Sequence, residues 1–294
     1  MTSTDQLLNR LDAMLTRAEK LFGGPVEAPD WNTTLAARWR SQGSARYFQA
    51  IKKPHRIQLS DLQGVDEQKN DLVRNTEQFL AGLPANNALL WGSRGTGKSS
   101  LIKALLNQYS DQGLRLIEVD KDNLTDLPDI VALIEDQPQR FIVFCDDLSF
   151  DAGDARYKAL KVVLDGSLAH SGDNVLIYAT SNRRHLLPEM QRENLDTRNI
   201  DGEIHHGEAI EEKISLSERF GLWISFYPNR QDDYLAIVNH WLSALGVDVS
   251  KNNATIREEA LRWALAHGSR SGRSAWQFAK DWAGRTSLPP SIQL

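Results

Sequence analysis

The stretch GSRGTGKS at residues 92–99 carries the strongest chemical signal in the chain, because it fits G-x-x-x-x-G-K-[ST]. Its glycines, Gly92, Gly95 and Gly97, let the backbone curl so that successive N–H groups, with those of Ser93, Arg94 and Thr96 among them, point at phosphate oxygens. Lys98 in this position reaches β and γ phosphates, and the Ser99 hydroxyl suits Mg²⁺. Ser100 follows in the first turn of a helix whose positive dipole end adds to the cradle. The chemistry implied is the gripping of a nucleoside triphosphate. Fifty residues on, the run FIVFCDD ends a strand in two acids. Asp146 falls at the C-terminal edge of a parallel sheet, where ligands collect, and is expected to hold Mg²⁺ through water. Asp147 falls where a general base orients the attacking water. Each signal has a plainer counterpart, a Gly-rich turn for the first and a helix N-cap for the second, but the two together select the phosphate site.

Positioning these residues requires buried strands that feed loops. The apolar runs ALLW (88–91), LRLIEV (114–119), FIVFCD (141–146), VLIYAT (175–180) and LWISF (222–226) have the composition of strands buried on both faces. Helix-length segments at 66–81, 99–109, 127–136 and 157–169 alternate with them. This predicts an α/β/α sandwich around a five-stranded, mostly parallel sheet. After Pro228 only helices are expected, over 232–245, 255–267 and 275–283. Near the N-terminus, residues 4–22 read as an amphipathic helix, and 39–56 show no clear period. Three regions follow: a basic, helical 1–56, a nucleotide-binding 57–228 and a helical lid at 229–294.

Bulk properties exclude several classes. The 294 residues are 41% hydrophobic and 25% charged, which suits a globular protein. No run approaches 18 apolar residues, and MTSTDQLLNR lacks a basic region followed by an apolar core, so neither a membrane span nor a secretory signal is expected. The single cysteine, Cys145, lies in an apolar run and reads as a buried hydrophobe; a cytoplasmic location is expected.

Taken in order, LQGVDEQKNDLVRNTEQFLAG, the phosphate loop, FCDDLSF, YATSNRRHL, LSERFG and GSRSGRSAWQFA resemble the AAA+ P-loop ATPases, and most closely the bacterial family of unknown function numbered eight-one-five. The resemblance covers residues 55–290 and implies Mg-dependent ATP hydrolysis. It implies that Asn182 is the sensor-one residue facing the γ-phosphate, and that Arg219 is an arginine finger acting on a neighbour's nucleotide in a homo-oligomer. It further implies that Arg273 is the sensor-two residue of the lid, and that Gly64 and Val65 pack near the adenine. Many AAA+ ATPases end the acidic strand in Asp-Glu, where this chain has Asp146-Asp147. Arg219 has a local alternative as an ion-pair partner of Glu218 or Glu212, and His205 with His206 reads as loop rather than metal site.

Charge is unevenly spread. Residues 1–60 hold nine Lys/Arg against five Asp/Glu, whereas the remainder holds 25 against 34. From Arg38 to Arg56 the chain has six cations, no acid, and Trp39, Tyr47 and Phe48 interleaved. That composition suits single-stranded nucleic acid. It equally suits a small folded region with solvated bases, or contact with an acidic neighbouring subunit. Three functions stay open: an ATPase moving a protein client of unknown identity, a slow nucleotide-gated switch or loader, and a small-molecule kinase, the last disfavoured by the helical lid.

Overall fold

The computed structural model describes residues 28–43, 45–150, 154–165, 174–184, 186, 198–200, 203–205, 218–251 and 253–287, together with Arg10 and Met14. The helix expected over 4–22 lies outside the described residues. A seven-stranded sheet forms the body: β1 (Ala36–Gln42), β2 (Ala45–Ala50), β3 (Ala88–Gly92), β4 (Leu114–Val119), β5 (Arg140–Cys145), β6 (Val175–Ser181) and β9 (Leu222–Phe226). A separate small hairpin pairs β7 (Arg198–Ile200) with β8 (Glu203–His205). The order across the large sheet is β2-β1-β4-β5-β6-β3-β9, antiparallel between β1 and β2 and parallel elsewhere. The five strands expected from apolar runs are all present, and two more extend the sheet.

Strand residues alternate between the two faces, and both faces are covered. Leu89, Ile117, Val143 and Ile177 enter one apolar cluster, while Leu90, Leu116, Phe144 and Tyr178 enter the other. This explains why these strands read as unbroken apolar runs rather than alternating ones. Helices α1 (Asp66–Leu80), α2 (Lys98–Tyr109), α3 (Leu127–Ala132) and α4 (Ala155–Leu164) connect them. Helix α3 starts at Leu127 as expected, directly after a 3₁₀ segment at Lys121–Asp126, but ends at Ala132, with Leu133 as its C-cap, instead of reaching 136.

The additional strands correct the expectation of a helical N-terminal region. Ala36–Gln42 and Ala45–Ala50 form a hairpin on the sheet edge beside β4. Inward-facing Trp39 is fully buried, and Phe48 is nearly so, meeting it edge-on at 4.9 Å between ring centroids. The neighbouring Arg38 and Arg40 point to the outside. Period two was therefore present in Arg38-Trp39-Arg40, but over too few residues to separate from irregular chain.

Beyond Phe226 the chain is helical, with α5 (Gln231–Ala244), α6 (Asn253–Ala266) and α7 (Gly272–Ser287) around their own core of Tyr234, Val238, Ile256, Ala260 and Phe278. Helix α7 runs longer at both ends than the apolar pattern indicated. No described helix is long and apolar enough to cross a membrane. Cys145 is buried, and that burial, with Asp146 beside it, pushes its thiol pKa up to about 12, which suits an inert core residue.

A buried polar contact helps tie the edge hairpin down. Trp39 Nε1 donates to Asp126 Oδ2 at 2.9 Å, and Asp126 is 5% exposed and also pairs with Arg46 at 3.2 Å. Removing the acceptor leaves a buried N–H unmatched. Asp126→Ala is expected to lower unfolding stability by about 1–3 kcal/mol in urea titration, without loss of the sheet signal in circular dichroism.

Candidate functional site

Parallel topology decides where the site lies. The chain leaves β3 for β4, returns through β5 and β6 to β3's flank, then crosses to β9 on its other side. Connections thus diverge at the C-terminal end of β3, opening a crevice there. Residues 92–99 fill that end. Gly92 closes β3, Ser93 N donates to Phe226 O of β9 at 3.1 Å, and Thr96 Oγ1 donates to Ser93 O at 2.8 Å. Gly97, in a left-handed conformation, precedes α2, whose first turn begins at Lys98.

Lys98 is 6% exposed and lies under the loop, donating to Gly92 O at 2.8 Å, Ser93 O at 2.7 Å and Asn182 Oδ1 at 3.3 Å. Burial lowers its pKa below that of an ordinary lysine; Asp146 and Asp147 oppose that shift, and Arg94 adds to it.

Register across the sheet brings the acids to the same edge. Cys145 stands level with Ala179, and Leu90 with Thr180, so Asp146 emerges opposite Thr180. Asp146 Oδ1 accepts from Ser99 Oγ at 2.7 Å and from Thr180 Oγ1 at 2.5 Å. Asp147 adopts φ 52°, the left-handed region that Asp tolerates better than most residues, and its N–H donates to Thr180 Oγ1 at 2.9 Å. Its carboxylate accepts from Asn182 Nδ2 and lies 3.8 Å from Arg94. Lysine only donates and a carboxylate only accepts, so the amide of Asn182 is oriented without ambiguity.

The loop, the acids and the lid enclose one cavity of ≈ 800 Å³. Val65, Arg94, Gly95, Thr96, Gly97, Lys98, Ser99, Ser100, Asp146, Asp147, Asn182 and Arg273 all line it. Gly64, Gly92 and Ser93 lie next to the lining rather than in it. Arg219 is elsewhere, on the turn before β9, and pairs with Asp165 at the end of α4. Glu212 and His206 lie outside the described residues, and His205 is placed only as the end of β8.

Three further groups escaped the sequence reading. Thr180 holds both acids; its only signal was a hydroxyl at the end of an apolar strand. Trp241 of α5 and Trp276 of α7 also line the cavity, with ring centroids 4.6 Å apart. Trp276 lies one turn after Arg273, a spacing that could have marked it.

The donor set fits Mg²⁺. Ser99 and Asp146 present hard oxygens 2.7 Å apart beside the lysine, which suits an ion that takes few protein ligands and completes its shell with phosphate and water. Among the described residues no group of three or more His, Cys, Asp or Glu could hold a metal by itself.

The basic stretch does not converge on this site as a cationic surface. Arg38 pairs with Glu118 at 2.7 Å, Arg40 with Asp120 at 3.1 Å, and Arg46 with Asp126 and Asp129. Only its end, His55 and Arg56, reaches the cavity wall.

The lid rests directly on the loop. A Cβ added at Gly95, where φ is +77°, would lie 2.8 Å from Ser271 Cβ. Gly113 has similar φ, +88°, with open space around it. Gly113→Ala is therefore expected to cost only the backbone term of about 1–2 kcal/mol. Gly95→Ala should cost more in the same urea titration and weaken phosphate-ligand binding as well, since the lid must move.

Known proteins share parts of this sequence and fold. Seventy-three residues are 36% identical to the replication factor C large subunit of Sulfolobus acidocaldarius, covering 24% of this chain and 17% of that protein. A RuvB mutant from Thermotoga maritima superposes with TM-score 0.50 at 14% identity, covering 79% of this chain and 66% of that one. The replication initiator DnaA bound to AMPPCP and single-stranded DNA gives TM-score 0.49 at 16% identity, covering 76% and 63%. The chain thus spans a small part of the curated relative and under two thirds of either structure. Residues 32–286 match the family described as Protein of unknown function (DUF815), and the chain belongs to that family, with the fold of an AAA+ P-loop ATPase.

Proposed function

We propose that the protein binds ATP with Mg²⁺ and hydrolyses it, using the energy to change its shape against a client. The observation that carries this reading is the convergence of Lys98, Ser99 with Asp146, Asp147 with Asn182, and Arg273 on one cavity at the end of β3. Lys98, freed from the loop carbonyls, would turn to the β and γ phosphates. Ser99 and Asp146 would hold Mg²⁺, which when bound supplies charge neutralisation between those phosphates. Asp147 and Asn182 would orient the attacking water. Arg273, at the start of a lid helix, would report the γ-phosphate to the lid.

Arg219 does not line its own subunit's cavity, which supports a role on a neighbour's nucleotide within a homo-oligomer. Its bond to Asp165 would then have to yield on assembly. We place the protein in the cytoplasm and retain the client as a protein. A single-stranded nucleic-acid client draws less support, because Arg38, Arg40 and Arg46 are paired and Trp39 and Phe48 are core. One observation favours a slower, switch-like variant of the same cycle: Asp147 is already engaged by Asn182 and faces Arg94. Steady-state phosphate release, measured with increasing protein concentration, separates the two. Turnover that rises with assembly supports the ATPase, and uniformly slow turnover supports the switch.

Two substitutions test the core reading. Lys98→Ala is expected to abolish ATP uptake in calorimetry while the unmodified chain binds; equal uptake by both overturns ATP binding at this site. Arg219→Ala should leave ATP affinity nearly unchanged and reduce hydrolysis by about 10³–10⁵-fold, the range known for arginine fingers. Parallel loss of affinity would make Arg219 a structural residue.

A further inference from the structure

A polar side-chain pair beside the cavity joins the lid to the nucleotide-binding body. His240 Nε2 of α5 lies 3.0 Å from Asp61 Oδ1, with side chains 26% and 19% exposed. A carboxylate only accepts, so Nε2 must carry the hydrogen. Asp61 is itself fixed, because its other oxygen accepts from Gln58 N at 2.8 Å. One turn of 3₁₀ helix, Leu59–Asp61, thereby becomes a rigid anchor for the lid helix.

Position along the chain gives this pair its consequence. Asp61 and the residues after it, Leu62 and Gln63, line the cavity, and so does Trp241, the residue after His240. His240 packs edge-on against Trp241 at 5.0 Å, and Trp241 in turn lies against Trp276. Leu62 also backs onto the loop: a Cβ at Gly97 would lie 3.7 Å from its Cδ2. Asp233, two turns earlier on α5, packs over Gly64, where a Cβ would lie 3.5 Å from its own. Body and lid are thus joined along this part of the cavity wall beside the Asp61–His240 hydrogen bond.

We propose that Asp61 and His240 form the latch that holds the lid closed over the base end of the nucleotide. The proposal rests on the ATP-binding reading above. Both act as positioning residues: through their bond to each other they set the place of the cavity-lining Leu62 and Trp241 beside them. Ligands held by phosphates alone should not sense the latch, whereas ligands with a base should.

Full-length protein with Mg²⁺ is titrated calorimetrically with ATP and, separately, with inorganic tripolyphosphate. His240→Ala and Asp61→Ala are each expected to weaken ATP binding about three- to tenfold, the range for loss of one partly buried hydrogen bond. Tripolyphosphate uptake should be unchanged, and the double variant should be no weaker than either single one, because both remove the same contact. His240→Gln keeps an N–H donor and should retain most of the ATP affinity. The latch is overturned by unchanged ATP affinity in both alanine variants, or by a parallel fall in tripolyphosphate uptake. Equal loss in His240→Gln and His240→Ala also overturns it, because ring packing would then be the cause. Uptake of tripolyphosphate but not ATP by the unmodified chain would instead remove the ATP reading itself, and the latch with it.

Discussion

A single buried ammonium group sets the terms for everything around it. Lys98 lies under its own loop, and burial makes its charged form less favourable than in water. The folded chain thus holds this proton less tightly than the unfolded chain does. Its contribution to stability therefore rises with pH between the lowered folded-state pKa and the ordinary lysine value of 10.5. Below that window the charge is carried at a cost to the empty fold, offset by two loop carbonyls, the Asn182 amide and two nearby carboxylates. An arrangement that keeps a cation buried at this cost suits an anionic ligand better than it suits stability. The rest of the body follows from the need to hold it: β3 delivers the loop, β5 the acids and β6 the amide, all at one edge because all three run parallel.

How much of this was legible from residues alone depended on distance along the chain. The loop occupies eight consecutive positions whose types are dictated by one geometry, so it could be read directly. Asp146 was legible because an apolar run must end somewhere, and an acid at that end has little structural reason to be there. Thr180 was not, since its meaning comes from register with β5, a relation between strands that no local pattern encodes. The Asp61–His240 contact, 179 residues apart, and the Arg219–Asp165 pair, 54 apart, lie equally out of reach. The edge hairpin was missed for a different reason. Its two strands are seven and six residues long and one face is basic, so the run shows no clear period on its own.

That basic face also shows why a count of charges is a poor guide to partners. Arg38, Arg40 and Arg46 sit opposite Glu118, Asp120, Asp126 and Asp129, so the positive N-terminal part and the acidic remainder neutralise one another within the chain. Exposed pairs of this kind are each worth about 0–1 kcal/mol, too little to drive the hairpin onto the sheet. Burial of Trp39 and Phe48 is the larger effect, at about 1.5–3 kcal/mol for a side chain such as Phe. The ion pairs decide instead which surface is left bare. Tyr47, Lys52, Lys53 and Arg56 are exposed, a much smaller surface than the sequence implied.

The shorter second acid has a structural setting of its own. Asp147 turns into the left-handed region as the strand ends, which redirects its side chain from the strand axis toward Asn182. Thr180 fixes both acids with one hydroxyl: its hydrogen goes to Asp146, and its lone pairs receive the Asp147 N–H. Asn182 then spans the remaining gap, accepting from Lys98 and donating to Asp147. The cation and the terminal acid are therefore coupled through a single amide, so a ligand that draws Lys98 away from Asn182 also removes the group that orients that amide. The same chain of bonds connects the loop to Asp147.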